Sequence, residues 1–123
     1  MKETVHNDMA MWAFSKVGEI DPKDSKEFRS LARSFPSMLQ VNGLGMALAF
    51  LYSKKSAAHK RLYMIISEWI KIKFPISDKK GKKEEFMKDI VGLDSQNYRI
   101  YTNEIMNLCL WIKRFAEGLI EGE

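Results

Sequence analysis

With 123 residues, 46% of them apolar and 29% charged, the chain is long enough to bury a core and too apolar to remain disordered. Its net charge of +4 is unevenly spread: residues 54–83 hold ten Lys/Arg against two acids, and the remainder holds ten basic against fourteen acidic residues. One cysteine, Cys109, excludes an intramolecular disulfide and a CxxC zinc pair; together with the absence of an apolar leader in MKETVHNDMAMWAF, this points to a reducing, cytoplasmic setting.

In chain order, a first helix is predicted from Glu3 to Glu19, with Val5, Met9, Trp12, Ala13 and Val17 on one face. Asp21-Pro22 starts a second helix, because the aspartate can cap and proline suits a first turn. Phe28, Leu31, Ala32 and Phe35 line its apolar face, and Pro36 is expected to break it, leaving a short helix from Ser37 to Val41. Asn42-Gly43 stops that piece. Leu44–Tyr52 is apolar on every side and is placed at the centre of the bundle.

Ala58–Lys73 has two apolar faces: Leu62, Ile65, Trp69 and Ile72 on one, and Tyr63, Ile66 and Ile70 on the other. The second face is read either as a partner-subunit surface or as internal packing. A basic loop, FPISDKKGKKEE, leads to a short helix ended by Gly92. Asp94 or Ser95 then caps a last helix with the stripe Tyr98, Tyr101, Ile105, Leu108, Ile112, Phe115 and Leu119. The expected fold is all-α, a single-domain bundle of about five to seven helices spanning residues 1–123.

The twenty residues between Arg33 and Lys54 carry no charge. A membrane span needs about 20 predominantly apolar residues, whereas Pro36, Ser37, Gln40, Asn42 and Gly43 interrupt this run. A dinucleotide loop needs a third glycine and a preceding strand, and GLGMALA has neither. Gly43 is read instead as a helix stop, and Gly45 as a residue allowing close packing.

Catalytic constellations are not apparent. His6 lies near a terminus, and His59 stands beside Lys60 and Arg61 as a solvated or RNA-proximal side chain. No His/Cys/Asp cluster has metal-ligand spacing. Cys109 falls beside the apolar stripe of the last helix as a packed thiol. Glu104 and Glu117 read as surface carboxylates on a helix that also carries Lys113 and Arg114. Neither enzyme activity, cofactor nor metal is expected.

Cations, by contrast, cluster. Lys54 and Lys55 end the apolar helix, and Lys60 and Arg61 open the next, so a short connection gathers four charges around one corner suited to phosphate oxygens. Lys71 and Lys73 extend the charge. Lys79, Lys80, Lys82 and Lys83 form either a clamp or a solubilising loop. No helix-turn-helix, RRM or zinc-finger pattern is present, so any nucleic-acid binding would proceed through backbone charge and shape.

The segment FPSMLQVNGLGMALAFLYSKK resembles the hallmark of the small helical subunit of type III-B CRISPR effectors, the fifth protein of the Cmr module. Pro36, Met38, Leu39, Asn42, Gly43, Leu44, Gly45, Ala47, Leu48, Ala49, Phe50, Leu51 and Lys54 match, and YRIYTNEIMNLCLWIKRFAEGL resembles the family's C-terminal helix. The departures are Phe35, where leucine is common, and Met46, where glutamine is common. The resemblance implies a non-catalytic subunit in antiviral defence, stacked with copies of itself along the backbone subunits of a Cmr complex and steadying the pairing of CRISPR RNA with target RNA. It also implies phosphate contacts for Lys113 and Arg114, within the recurring K-R-F, beside those of Lys54, Lys55, Lys60 and Arg61. The competing expectation from the residues is a helical protein–protein adaptor whose lysines serve solubility.

Overall fold

Six α-helices and no strand make up the described residues, 5–74 and 83–121, of the computed structural model. They are α1 (Val5–Gly18), α2 (Pro22–Asn42), α3 (Leu44–Ser53), α4 (Ala57–Lys73), α5 (Lys83–Val91) and α6 (Ser95–Leu119). α2 packs on α6, α4 and α3, while α1 lies chiefly against α6 and α5 rests on α3 and α4. The clamp expected of Lys79, Lys80, Lys82 and Lys83 falls on side chains outside those described.

α2 begins as its sequence dictates. The Asp21 carboxylate accepts the Lys23 N–H at 3.0 Å, and Pro22 occupies the first turn, where its missing N–H leaves no bond unmade. Pro36 does not break the helix: α2 runs unbroken from Pro22 to Asn42, with Phe35 still helical. The reason is tertiary. Proline in a helix interior costs roughly 3 kcal/mol. Burying Phe28, Leu31, Phe35 and Leu39, all on one face, returns roughly 6–12 kcal/mol at ~1.5–3 kcal/mol each.

One residue then separates two helices. Gly43 has φ +88°, donates its N–H to Leu39 O at 2.9 Å, and accepts the Ala47 N–H at 3.0 Å. It closes α2 and opens α3 in a backbone conformation that favours glycine. α3 buries Leu44, Ala47, Leu48 and Leu51, but it is not central on all sides, because Met46 is 69% exposed. A ten-residue helix lying on α2, α4 and α5 still presents one flank outward.

In α4 both predicted faces are inside except at the end, where Ile72 is exposed. The apolar contact toward α6 there comes from Phe74, stacked on Tyr101 at 4.5 Å. Tyr63, Ile66 and Ile70 are 2%, 0% and 4% exposed, and Tyr63 meets Phe86 of α5 edge to face at 5.6 Å. They are core residues, so the expectation of a partner surface on them is corrected. α2, α3, α5 and α6 all pack against this helix, and the apolar side chains it leaves exposed are Met64 and Ile72, not these three.

α6 is capped by Asp94, whose carboxylate accepts the Asn97 N–H at 2.8 Å. Its buried set is Tyr101, Ile105, Leu108, Cys109, Ile112 and Ala116. The predicted stripe drifts: at 3.6 residues per turn a seven-residue repeat rotates by ~20° per heptad. Burial therefore passes to Cys109 and Ala116, leaving Phe115 half-buried and Leu119 exposed. Burial raises the Cys109 thiol well above the usual range, consistent with an inert packed thiol.

Candidate nucleic-acid interface

α3 ends at Ser53, and the link Lys54–Ser56 leads directly into α4, so Lys54, Lys55, Lys60 and Arg61 all belong to one corner. Ser56 organises it. Its hydroxyl donates to Glu27 Oε2 of α2 at 2.9 Å, and His59 Nδ1 lies 3.0 Å from the same Oγ. With the hydroxyl hydrogen directed at Glu27, Nδ1 must carry the imidazole proton for that contact to be a hydrogen bond. His59 is therefore not a solvated side chain: it is half-buried and packs edge to face on Phe50 at 5.4 Å. Burial holds its imidazole below the usual histidine range, opposed by Glu27 and assisted by the neighbouring Lys54 charge.

The four cations of this corner differ in surroundings. Lys54 Nζ lies 5.0 Å from the centre of the Phe50 ring, a cation–π arrangement. Lys55 and Lys60 are exposed, and Arg61 is half-buried. Lys60 and Arg61 line a hollow of about 680 Å³ whose other wall, the α1–α2 connection and the first turn of α2, carries Glu19, Asp21 and Asp24. Half of the corner's positive charge thus faces carboxylates, an arrangement invisible while the helices are taken one at a time.

Lys113 and Arg114 lie elsewhere. With Glu117 of α6 and Ser30, Arg33 and Ser34 of α2 they line a second hollow, of about 420 Å³. Glu117 joins the helices, its Oε2 3.6 Å from Arg33 Nε and its Oε1 3.2 Å from Arg114 Nη1. The six sequence-predicted cations therefore form two sets. α2 connects them, since Glu27 reaches the corner and Arg33, six residues or about 9 Å further along the helix axis, reaches the second hollow. Sequence reasoning missed Arg33. Its position opposite Phe28, Leu31 and Phe35 marks it as outward-facing, but nothing in the sequence shows that α6 brings two more cations to it.

Glu104 and the three tryptophans have structural partners, while the side chain of His6 lies outside those described. The Trp69 indole N–H donates to Glu104 Oε2 at 2.7 Å, so Glu104 is a half-buried acceptor and not a free surface carboxylate. Trp12 packs on Trp69 at 5.3 Å, and Trp111 stacks on Phe115 at 5.5 Å. Among the described residues, no group of three His, Cys, Asp or Glu could hold a metal ion, and no helix is long and apolar enough to cross a membrane.

The two motifs noted in the sequence meet in space. Tyr98 Oη of α6 accepts the N–H of Gly45, in the first turn of α3, at 2.8 Å. Gly43, the cap residue of α3, has no side chain to serve that turn. A phenol from the C-terminal helix thus supplies an acceptor that the N-G-L-G turn cannot supply for itself.

Three comparisons bear on this arrangement. A family model described as CRISPR-associated protein (Cas_Cmr5) matches residues 5–119. The CRISPR system Cmr subunit Cmr5 of Thermus thermophilus is 29% identical over 115 residues, covering 91% of this chain and 92% of the relative. The X-ray structure of a CRISPR-associated Cmr5 family protein from the same organism superposes with a TM-score of 0.77 at 26% identity, covering 98% of this chain and 100% of that one.

Proposed function

The chain belongs to the CRISPR-associated Cmr5 family, and we propose on that premise that it is a small, non-catalytic subunit of a type III-B Cmr effector complex acting in the cytoplasm in antiviral defence. Several copies stack along the backbone subunits and steady the duplex between CRISPR RNA and target RNA. The observation that carries this reading is the family match across residues 5–119 together with two basic sets on one chain, Lys54, Lys55, Lys60 and Arg61 at one corner and Lys113 and Arg114 at the other hollow. Lysine and arginine side chains at a surface suit phosphate oxygens, and contacts of this kind tolerate any sequence. Such tolerance is what a guide-directed complex needs, because base pairing already supplies the specificity.

The test is affinity purification of the tagged chain from its native host, with sequencing of co-purifying RNA and identification of proteins. Cmr subunits and CRISPR-repeat-derived RNA are expected. A soluble, abundant chain that brings down neither sinks the effector reading and favours a protein–protein adaptor. Crosslinking within the purified complex then separates subunit assembly from RNA contact: crosslinks from Lys54, Lys55, Lys60, Arg61, Lys113 or Arg114 to RNA are expected, and their absence from an intact complex rejects the duplex-stabilising role.

A further inference from the structure

The hollow between α2 and α6 contains an anion of the chain's own. Glu117 is the least exposed member of its ion-pair set: its side chain is 25% accessible, against 56% for Arg33 and 74% for Arg114. Each of its carboxylate oxygens lies against a different arginine from a different helix. Lys113 has no carboxylate within 4.0 Å among the described residues. Three cations around one carboxylate leave two positive charges in excess. The Ser30 hydroxyl, on the same wall as Arg33, adds a neutral donor, whereas the Ser34 hydroxyl already donates to Leu31 O at 3.3 Å.

From this geometry we propose that the hollow lined by Ser30, Arg33, Ser34, Lys113 and Arg114 is an oxyanion site for a phosphodiester of the RNA backbone, and that Glu117 is its resident counter-ion, displaced when the phosphate enters. The proposal rests on the RNA-contact reading of Lys113 and Arg114 and extends it to Arg33, to the Ser30 hydroxyl and to a competing carboxylate. The chemistry is an exchange. A carboxylate with one charge shared between two guanidinium groups gives way to a phosphate oxyanion that can address both of them and the lysine. Displacement is inexpensive because ion pairs this exposed contribute only ~0–1 kcal/mol each. The site is therefore held in shape when empty without being locked shut.

The test compares the intact wild-type chain with Glu117→Gln, and with Glu68→Gln as a control of equal charge change. Glu68 of α4 pairs with Lys16 of α1 at 3.5 Å, and neither residue lines the hollow. Two probes are titrated: inorganic phosphate, followed by NMR of the Arg33 and Arg114 Nε–H groups, and a single-stranded RNA homopolymer, followed by fluorescence anisotropy. Glu117→Gln is expected to bind both probes roughly three- to ten-fold more tightly, from the loss of two exposed ion pairs. Glu68→Gln is expected to match wild type, and Arg33→Gln to weaken both probes several-fold.

Equal titrations for wild type and Glu117→Gln overturn the proposal, as do equal gains from Glu117→Gln and Glu68→Gln, which would be a net-charge effect. Silence of the Arg33 and Arg114 resonances toward phosphate in every variant also overturns it, whether or not the complex and its RNA are recovered from the host. A gain toward phosphate alone overturns the RNA source and assigns the hollow to free phosphate.

Discussion

Replacing Tyr98 with phenylalanine removes one oxygen and leaves the ring. The Gly45 N–H loses its 2.8 Å acceptor, and the glycine cap at Gly43 has no side chain to replace it. An intramolecular hydrogen bond contributes about 0.5–1.5 kcal/mol net, with an added penalty when the orphaned donor is shielded from water. Tyr98 and Gly45 are both half-buried, so water partly re-solvates the amide, and the expected destabilisation is ~1 kcal/mol. At an unfolding entropy of ~2.1 cal/mol/K per residue over 123 residues, this lowers Tm by about 4 °C. Urea unfolding followed by circular dichroism reads ΔG, and calorimetry reads Tm. Two neighbours calibrate the result. Gly43→Ala forces a Cβ into φ +88° and is expected to cost ~1–2 kcal/mol. Gly45→Ala keeps the amide and sets a Cβ at 3.5 Å from the Tyr98 hydroxyl, an ordinary contact, so it should be neutral or stabilising by up to ~1 kcal/mol. A Tyr98→Phe variant as stable as wild type would refute the idea that the phenol completes the α3 N-terminus.

Three further outcomes follow from the same structure. Pro36→Ala restores a helical hydrogen bond worth part of the ~3 kcal/mol proline penalty but gives up about two buried methylenes at ~0.8 kcal/mol each, so a net gain of roughly 1 kcal/mol in urea unfolding is expected. Because the folded pKa of His59 lies below its unfolded value, the unfolded chain binds its proton more readily, and this residue's stabilisation is present above the unfolded pKa and lost as pH falls through the folded one. Wild type should therefore lose more Tm than His59→Gln between neutral and mildly acidic pH; equal losses would remove His59 from the acid response. Substituting both Lys113 and Arg114 by alanine should flatten the dependence of log K on log salt for single-stranded RNA by about 1.4, at ~0.7 per phosphate contact, and an unchanged slope would remove both residues from the phosphate interface.

Local chemistry in this chain is readable from the sequence alone. Asp21, Pro22, Asn42-Gly43 and Asp94 each act within a turn of their own position, and each does what its side chain or backbone dictates. Apart from the drift of the α6 stripe, the main misreadings involve a second helix. Pro36 looks like a breaker until α2 is seen packed along its length on three neighbours. Tyr63, Ile66 and Ile70 look like a spare face until α5 is placed over Tyr63. For the site, the cations were visible but their counter-ions were not. Glu117 is close in sequence to Arg114, and Arg33 is remote from both; only the α2–α6 packing makes them one cluster. The acids facing Lys60 and Arg61 likewise come from the α1–α2 connection and the first turn of α2.

The placement of α1 against α6 has a consequence for how the chain is made. Phe14 and Phe115, in edge-to-face contact at 5.2 Å, come from opposite ends of the sequence, and Met9, Ala13 and Val17 are buried in a helix that lies chiefly on α6. Helical proteins fold quickly when their contacts are local, and this closure is not local. During synthesis α1 leaves the ribosome four helices before α6 begins to emerge, and so waits for its main packing surface. Its apolar face stays uncovered until α6 has emerged, so a nascent or truncated chain without α6 presents adhesive surface to chaperones and proteases.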